Sequence, residues 1–268
     1  MEFYSIFLAA ADTSILGRVD KASLSTQTLM EIFIQGIENK EVICGSAEEP
    51  DDIDQWKGFT YNREQPVDSG AKQFKIDWSY LNLVGSIDLQ WLPSGVLRLR
   101  IPGSKLRGSL NLTALPSSIR FLRLDSNTFS GEIDLSHLPA EIKELRLSIN
   151  QLCGSINLTK LPPSMQRLYL HENRFRGTVC LLHLPSGLRS FSVSENELSG
   201  TVNLTFLPVA MKDLWLEKNN FEGRTDFSHL PEALEDFDVS YTKLSGEIVV
   251  RNGTTWFAVE HSNVELTL

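Results

Sequence analysis

Leu115-Pro116-Ser117-Ser118-Ile119-Arg120-Phe121-Leu122-Arg123-Leu124-Asp125-Ser126-Asn127-Thr128-Phe129-Ser130-Gly131-Glu132-Ile133-Asp134-Leu135 decides the architecture, because its pattern recurs along the chain. Counting outward from Gly131, a glycine returns every 23 residues, at Gly85, Gly108, Gly154, Gly177, Gly200, Gly223 and Gly246. Proline keeps the same interval at Pro93, Pro116, Pro139, Pro162, Pro185, Pro208 and Pro231. A fixed period of this length describes one unit built repeatedly, each copy burying its apolar edge on the next.

Inside the unit two apolar residues stand two apart: Ile76/Trp78, Leu99/Ile101, Leu122/Leu124, Leu145/Leu147, Leu168/Leu170, Phe191/Val193, Leu214/Leu216 and Phe237/Val239. Alternation over so short a run predicts a strand, and stacked copies predict a parallel sheet with one rung per coil. Two more apolar columns are expected inside the coil. One runs Leu83, Leu106, Phe129, Leu152, Phe175, Leu198, Phe221 and Leu244. The other runs Ile87, Leu110, Ile133, Ile156, Val179, Val202 and Ile248, with Thr225 as its polar exception. Neither column can be buried by a single coil, so neighbours must stack on both sides. An asparagine column (Asn127, Asn150, Asn173, Asn196, Asn219) follows the strand, where its amide can bond backbone groups of the turn and of the adjoining coil. It gives way at the ends to Leu81, Ser104 and Thr242.

With these residues in view, L-x-x-L-x-L-x-x-N-x-L is identified as the leucine-rich repeat signature. The continuation Phe129-Ser130-Gly131-Glu132-Ile133 resembles the plant-type subclass. That subclass has 24-residue units continuing I-P, whereas the unit here is 23 residues and continues I-D-L or I-N-L. The resemblance covers about residues 70–250. It implies an α/β solenoid of about 8 coils: a curved right-handed array with a parallel β-sheet on the concave face and a convex side mostly irregular or short-strand. It also implies a protein-binding role.

The flanks depart from the repeat. The chain divides into an N-terminal segment (1–70), the array (71–250) and a C-terminal segment (251–268). Thr28-Leu29-Met30-Glu31 reads as a capping box, with Leu29/Phe33/Ile37 and Met30/Ile34 at helical spacing after it. An acidic loop, Glu48 to Asp54, leads to Trp56-Lys57-Gly58-Phe59-Thr60-Tyr61. A helix, a loop and W-x-G together resemble the N-terminal cap of plant-type repeat proteins, expected to cover the first coil. The last cysteine of that motif is Tyr61 here, so the cap disulfide implied by the family has no partner for Cys44. Trp256-Phe257-Ala258-Val259 is expected to close the other end as a last, irregular strand.

The chain carries 25 basic and 34 acidic residues, and residues 1–70 alone hold a net charge of −8. Overall acidity argues against general nucleic-acid binding. Three cysteines (Cys44, Cys153, Cys180) make no even disulfide framework and favour an intracellular, cytoplasmic setting over a secreted one. Against this stand a weak signal-like apolar segment within 1–14 and N-x-T sequons at Asn111, Asn157, Asn203 and Asn252, which are N-glycosylation acceptors only in a secreted chain. Three of the four share one repeat column. No apolar run is long enough to span a bilayer.

Catalytic motifs are missing: there is no H-E-x-x-H, C-x-x-C, phosphate loop or G-x-S-x-G. His137, His183 and His229 recur every 46 residues, two coils apart. At ~4.8 Å per rung they are too distant to share a metal at ~2 Å. No enzyme, cofactor or metal site is expected.

The outward columns of the sheet carry the candidate site. Between the paired apolar residues stand Asp77, Arg100, Arg123, Arg146, Tyr169, Ser192, Trp215 and Asp238. Two residues earlier stand Lys75, Arg98, Phe121, Glu144, Arg167, Ser190, Asp213 and Asp236. Just after the pair come Asp125, Ser148, His171, Ser194 and Glu217. Arg98, Arg100, Arg123, Arg146 and Arg167 form a basic start, Tyr169 and Trp215 an aromatic middle, and Asp213, Asp236 and Asp238 an acidic end. Such a face suits a polar, extended protein segment, because tryptophan, tyrosine and arginine are enriched at binding hot spots. The alternative is a passive surface in which the arginines pair with Glu144 and Asp125. The expectation is a non-enzymatic recognition module, a monomer or a subunit of a hetero-complex. The other readings are a scaffold subunit docked through its acidic cap and a secreted recognition or inhibitor protein.

Overall fold

The computed structural model describes residues 20–62, 72–250 and 255–267. Among these residues, two sheets run the length of a solenoid, as the repeat requires. The first has ten strands, from Phe59–Tyr61 through Phe121–Arg123, Glu144–Arg146 and Arg167–Tyr169 to Trp256–Ala258. Only its first pairing is antiparallel. Its register keeps the sequence columns intact: Arg100 sits beside Arg123, Arg123 beside Arg146, and Arg146 beside Tyr169. The second sheet has nine short parallel strands, from Val84–Ser86 to Asn263–Thr267. They fall on the L-x-G segments, so the side expected to be irregular or short-strand is ordered as short strands.

Packing follows the columns. Both members of every apolar pair are buried, although most strands end after the first; Leu124 lies just beyond Phe121–Arg123. Phe129, Phe175 and Phe221 are wholly enclosed between the two sheets. A buried side chain of this size is worth about 1.5–3 kcal/mol, so each coil depends on its neighbours for most of its stability. Thr225, the polar exception, is also buried, and its hydroxyl donates toward Val202 O at 3.5 Å.

The asparagines tie successive coils together. Each follows a residue with left-handed backbone, such as Ile149, Glu172 or Glu195. Asn173 Nδ2 donates to Leu147 O in the preceding coil (3.0 Å) and to Leu170 O and His171 O in its own (3.1 and 3.2 Å). Its Oδ1 accepts from Leu152 N at 3.0 Å. Where the column changes identity, hydroxyls replace part of this pattern. Ser104 Oγ accepts from Leu83 N, and Thr242 Oγ1 donates to Val239 O.

A second polar column turns the chain after the second sheet. Asp88, Asn111, Asp134, Asn157, Asn203 and Asp226 each accept, through Oδ1, the amide two residues ahead. Three sequon asparagines therefore do the same turn-stabilising work as the aspartates they alternate with. Asn252 and the signal-like segment 1–14 lie outside the described residues.

The helix near the N-terminus spans Thr26–Phe33 and starts two residues before the expected box. Its N-cap is Ser25, whose Oγ accepts from Thr28 N at 3.0 Å. Thr28 lies inside the first turn, and Glu31 accepts from Gln27 Nε2 at 2.7 Å instead of reaching back to a cap. The apolar spacing holds: Leu29, Met30, Phe33, Ile34 and Ile37 are buried, and Phe33 stacks on Trp78 with centroids 6.1 Å apart. Behind the helix the chain lies directly on the first coil, Ser86 N donating to Gly36 O and Glu38 N to Val84 O, both at 2.8 Å. A Cβ at Gly85 (φ 110°) would stand 2.1 Å from Gly36 O, so this approach requires glycine. Cys44, Cys153 and Cys180 are free thiols.

Candidate functional site

The outward columns of the ten-stranded sheet form a continuous polar face. A three-residue strand stabilised on both sides projects its first and last side chains to the same side, so Arg167 and Tyr169, or Asp213 and Trp215, share this face.

Glu144 organises the basic part. Its side chain is wholly buried, and three guanidiniums converge on it: Arg123 Nε and Arg146 Nε on Oε1 (the latter at 2.7 Å), and Arg167 on Oε2 through both Nε and Nη2 at 2.6 Å. Burial alone would raise the Glu144 pKa. The bonds from Arg123 and Arg167 and the charge and bond of Arg146 outweigh burial and hold it at about 2. Arg123 and Arg146 commit only their Nε edges, so their outer N–H groups have no partner among the described residues. Arg100 pairs with Asp77 at 2.9 Å. Arg98 makes no ion pair there and lies 4.8 Å from the Phe121 ring centroid. Asp125 forms no ion pair among the described residues, and burial raises its pKa.

The aromatic part is a stack. The Arg146 guanidinium lies 4.4 Å from the Tyr169 ring centroid, and Tyr169 and Trp215 have centroids 6.2 Å apart at 31°. These two residues are separated by a whole rung, roughly 9–10 Å between backbones. The intervening rung carries Ser190, Ser192 and Ser194, all buried. Small side chains there let the rings lean together and cover them. Trp215 Nε1 donates to Asp236 Oδ2 at 3.0 Å, which fixes the indole.

At the acidic end, Asp213, Glu217, Asp236 and Asp238 make no ion pair with any described residue. Asp213 accepts from Ser190 Oγ at 2.6 Å. Burial, then the charges of Asp213 and Asp238, push Asp236 upward. Glu217 is pushed to about 7, first by burial and then by Asp238 and Glu195, and its Oε2 is enclosed without a hydrogen-bond partner. An acid with a raised folded pKa loses stability as pH climbs, because the unfolded chain releases its proton near 4.5 and the folded chain only near 7. Glu217→Gln is therefore expected to stabilise the protein by about 1–2 kcal/mol at pH 8, after allowance for solvent screening, and by little at pH 5. Urea unfolding at the two pH values measures the difference; equal gains at both would refute the assignment.

The histidine series stays divided between coils. His137 Nδ1 lies 2.8 Å from Asp134 Oδ2, and His229 Nδ1 lies 3.2 Å from Asp226 Oδ2. His171, on the sheet face, meets Ser148 Oγ at 3.1 Å, and burial lowers its pKa.

No protein-family model and no curated protein sequence matches the chain. Solved structures do. A pollen receptor kinase 3 superposes with a TM-score of 0.51 at 22% identity, over 78% of this chain and 95% of that one. The PEPR1–AtPEP1 structure superposes with a TM-score of 0.50 at 18% identity, over 90% of this chain and 42% of that one. The Arabidopsis thaliana receptor kinase GASSHO1/SCHENGEN3 leucine-rich-repeat ectodomain, in complex with CASPARIAN STRIP INTEGRITY FACTOR 2, gives 0.48 at 17% identity, over 91% and 38%. The chain thus spans less than half of two of these three. At these identities the likeness is one of fold.

Proposed function

We propose that this chain, a leucine-rich-repeat solenoid resembling the plant type, is a non-enzymatic recognition module that binds a protein segment on its concave sheet. The observation that carries this reading is the half-exposed Arg146–Tyr169–Trp215 stack. Its rings are held in place by neighbours, so little side-chain entropy remains to be lost on binding. One of the similar structures holds PEPR1 together with AtPEP1. Arg98, Arg100, Arg123, Arg146, Arg167, Tyr169, Trp215, Asp213, Asp236 and Asp238 are the contact residues of this reading. The partner is another protein, and no nucleic acid or cofactor enters the account.

Trp215→Ala tests it. Affinity capture with the purified chain, read by quantitative mass spectrometry, is expected to lose its specific partner roughly 30-fold, a hot-spot effect of about 2 kcal/mol. Phe206→Ala serves as control, since Phe206 is exposed and lies in the connection between strands, outside both sheets. Partner recovery unchanged by Trp215→Ala but lost with Phe206→Ala would move the interface off the sheet face.

A further inference from the structure

We infer that the segment bound by the concave sheet carries an acidic side chain at the Glu144 rung and a basic one between the Trp215 and Asp236 rungs, about five residues apart in an extended chain. This rests on the concave-face reading and adds the charge order of the occupant.

The face is electrically divided. Around Glu144, three guanidiniums share one carboxylate. With Arg98 unpaired among the described residues, the region stays cationic even when the half-buried Asp125 is counted. The buried carboxylate takes the Nε edges of Arg123 and Arg146 and leaves their outer N–H groups free. Those groups offer the planar donor pairs that match a carboxylate.

The far end is the complement. Asp213, Glu217, Asp236 and Asp238 occupy two adjacent rungs; Asp213, Asp236 and Asp238 accept hydrogen bonds, and none of the four meets a cation among the described residues. The fully enclosed Glu217 Oε2 still lacks a donor. The Trp215 and Tyr169 rings add an aromatic wall against which a lysine or arginine side chain gains cation–π attraction.

The rungs fix the spacing. Glu144 and the Asp213–Asp236 pair lie three to four rungs apart, roughly 17 Å at ~4.8 Å per rung. An extended chain covers that in about five residues at ~3.3 Å each. Trp215 stands on the Asp213 rung beside the segment's basic residue, and Tyr169, one rung beyond Glu144, faces its middle.

Selection of random dodecapeptides by display on the immobilised full chain tests this. Peptides pairing Asp or Glu with Lys or Arg about four to six positions apart are expected to enrich about tenfold over other spacings. On the double variant Asp236→Lys/Asp238→Lys, checked for folding by circular dichroism, the basic preference is expected to disappear. A pool with no preferred spacing, or with one charge sign only, that still depends on Trp215 would overturn the charge order while leaving concave-face binding in place. A pool indifferent to Trp215→Ala would overturn both.

Discussion

Glu144→Ala costs about 3–5 kcal/mol of stability, the expected penalty for removing one partner of a buried charge cluster. Three arginines on consecutive rungs then face one another with no anion between them, and each repels the next in a partly desolvated setting. Glu144→Gln keeps the shape and loses the charge, so it isolates the electrostatic part. The pH dependence gives the sign. Glu144 is held near 2 in the fold against an ordinary 4.5. Its contribution is complete above pH 4.5 and is lost as pH falls through about 2. Urea unfolding at pH 7 should separate wild type from Glu144→Gln by about 3 kcal/mol, and the gap should close near pH 2. A gap under about 1 kcal/mol at pH 7 would place this cluster with ordinary surface pairs.

Asn173→Ala has the next largest effect, about 2 kcal/mol, because the Leu152 amide of the preceding coil loses its acceptor. Leu152 N–H is left unpaired inside the array, and an unsatisfied buried group costs about 1–3 kcal/mol, while Leu147 C=O keeps the bond from Asn150 Nδ2. The damage falls between coils, so hydrogen exchange should rise at the amides of residues 150–154 more than at the two ends. Uniform exchange, with a midpoint shift worth less than about 1 kcal/mol, would show that apolar stacking alone holds adjacent coils.

The array was legible because a strict period assigns every residue a side. Each apolar column is buried, and each outward column of the sheet lies where alternation puts it. Residue chemistry alone was less informative. Glu144 stood in the sequence as one partner of the arginines; its complete burial was not legible there, with Arg167 beside it in register, Arg146 two residues on and Arg123 diagonally across. The contact between Tyr169 and Trp215 was hidden because they stand 46 residues apart; the three serines of the rung between them are its trace. The helix start was misplaced for a local reason. Ser25 and Thr28 are both good N-caps three residues apart, and Glu31 favoured the later one until tertiary packing brought residues 26–28 into the helix. The free valences at the acidic end depend on side-chain geometry, which no column can supply.

Hydroxyl-radical footprinting of the native complex tests the central claim most directly, because it reads the sheet face and the connections outside it in one experiment. Concave-face recognition predicts that Tyr169 and Trp215 are protected when the partner binds, while Phe206 and Val209, exposed in the connection between the two sheets, oxidise as before. Protection of Phe206 and Val209 with unchanged oxidation of Tyr169 and Trp215 would contradict it.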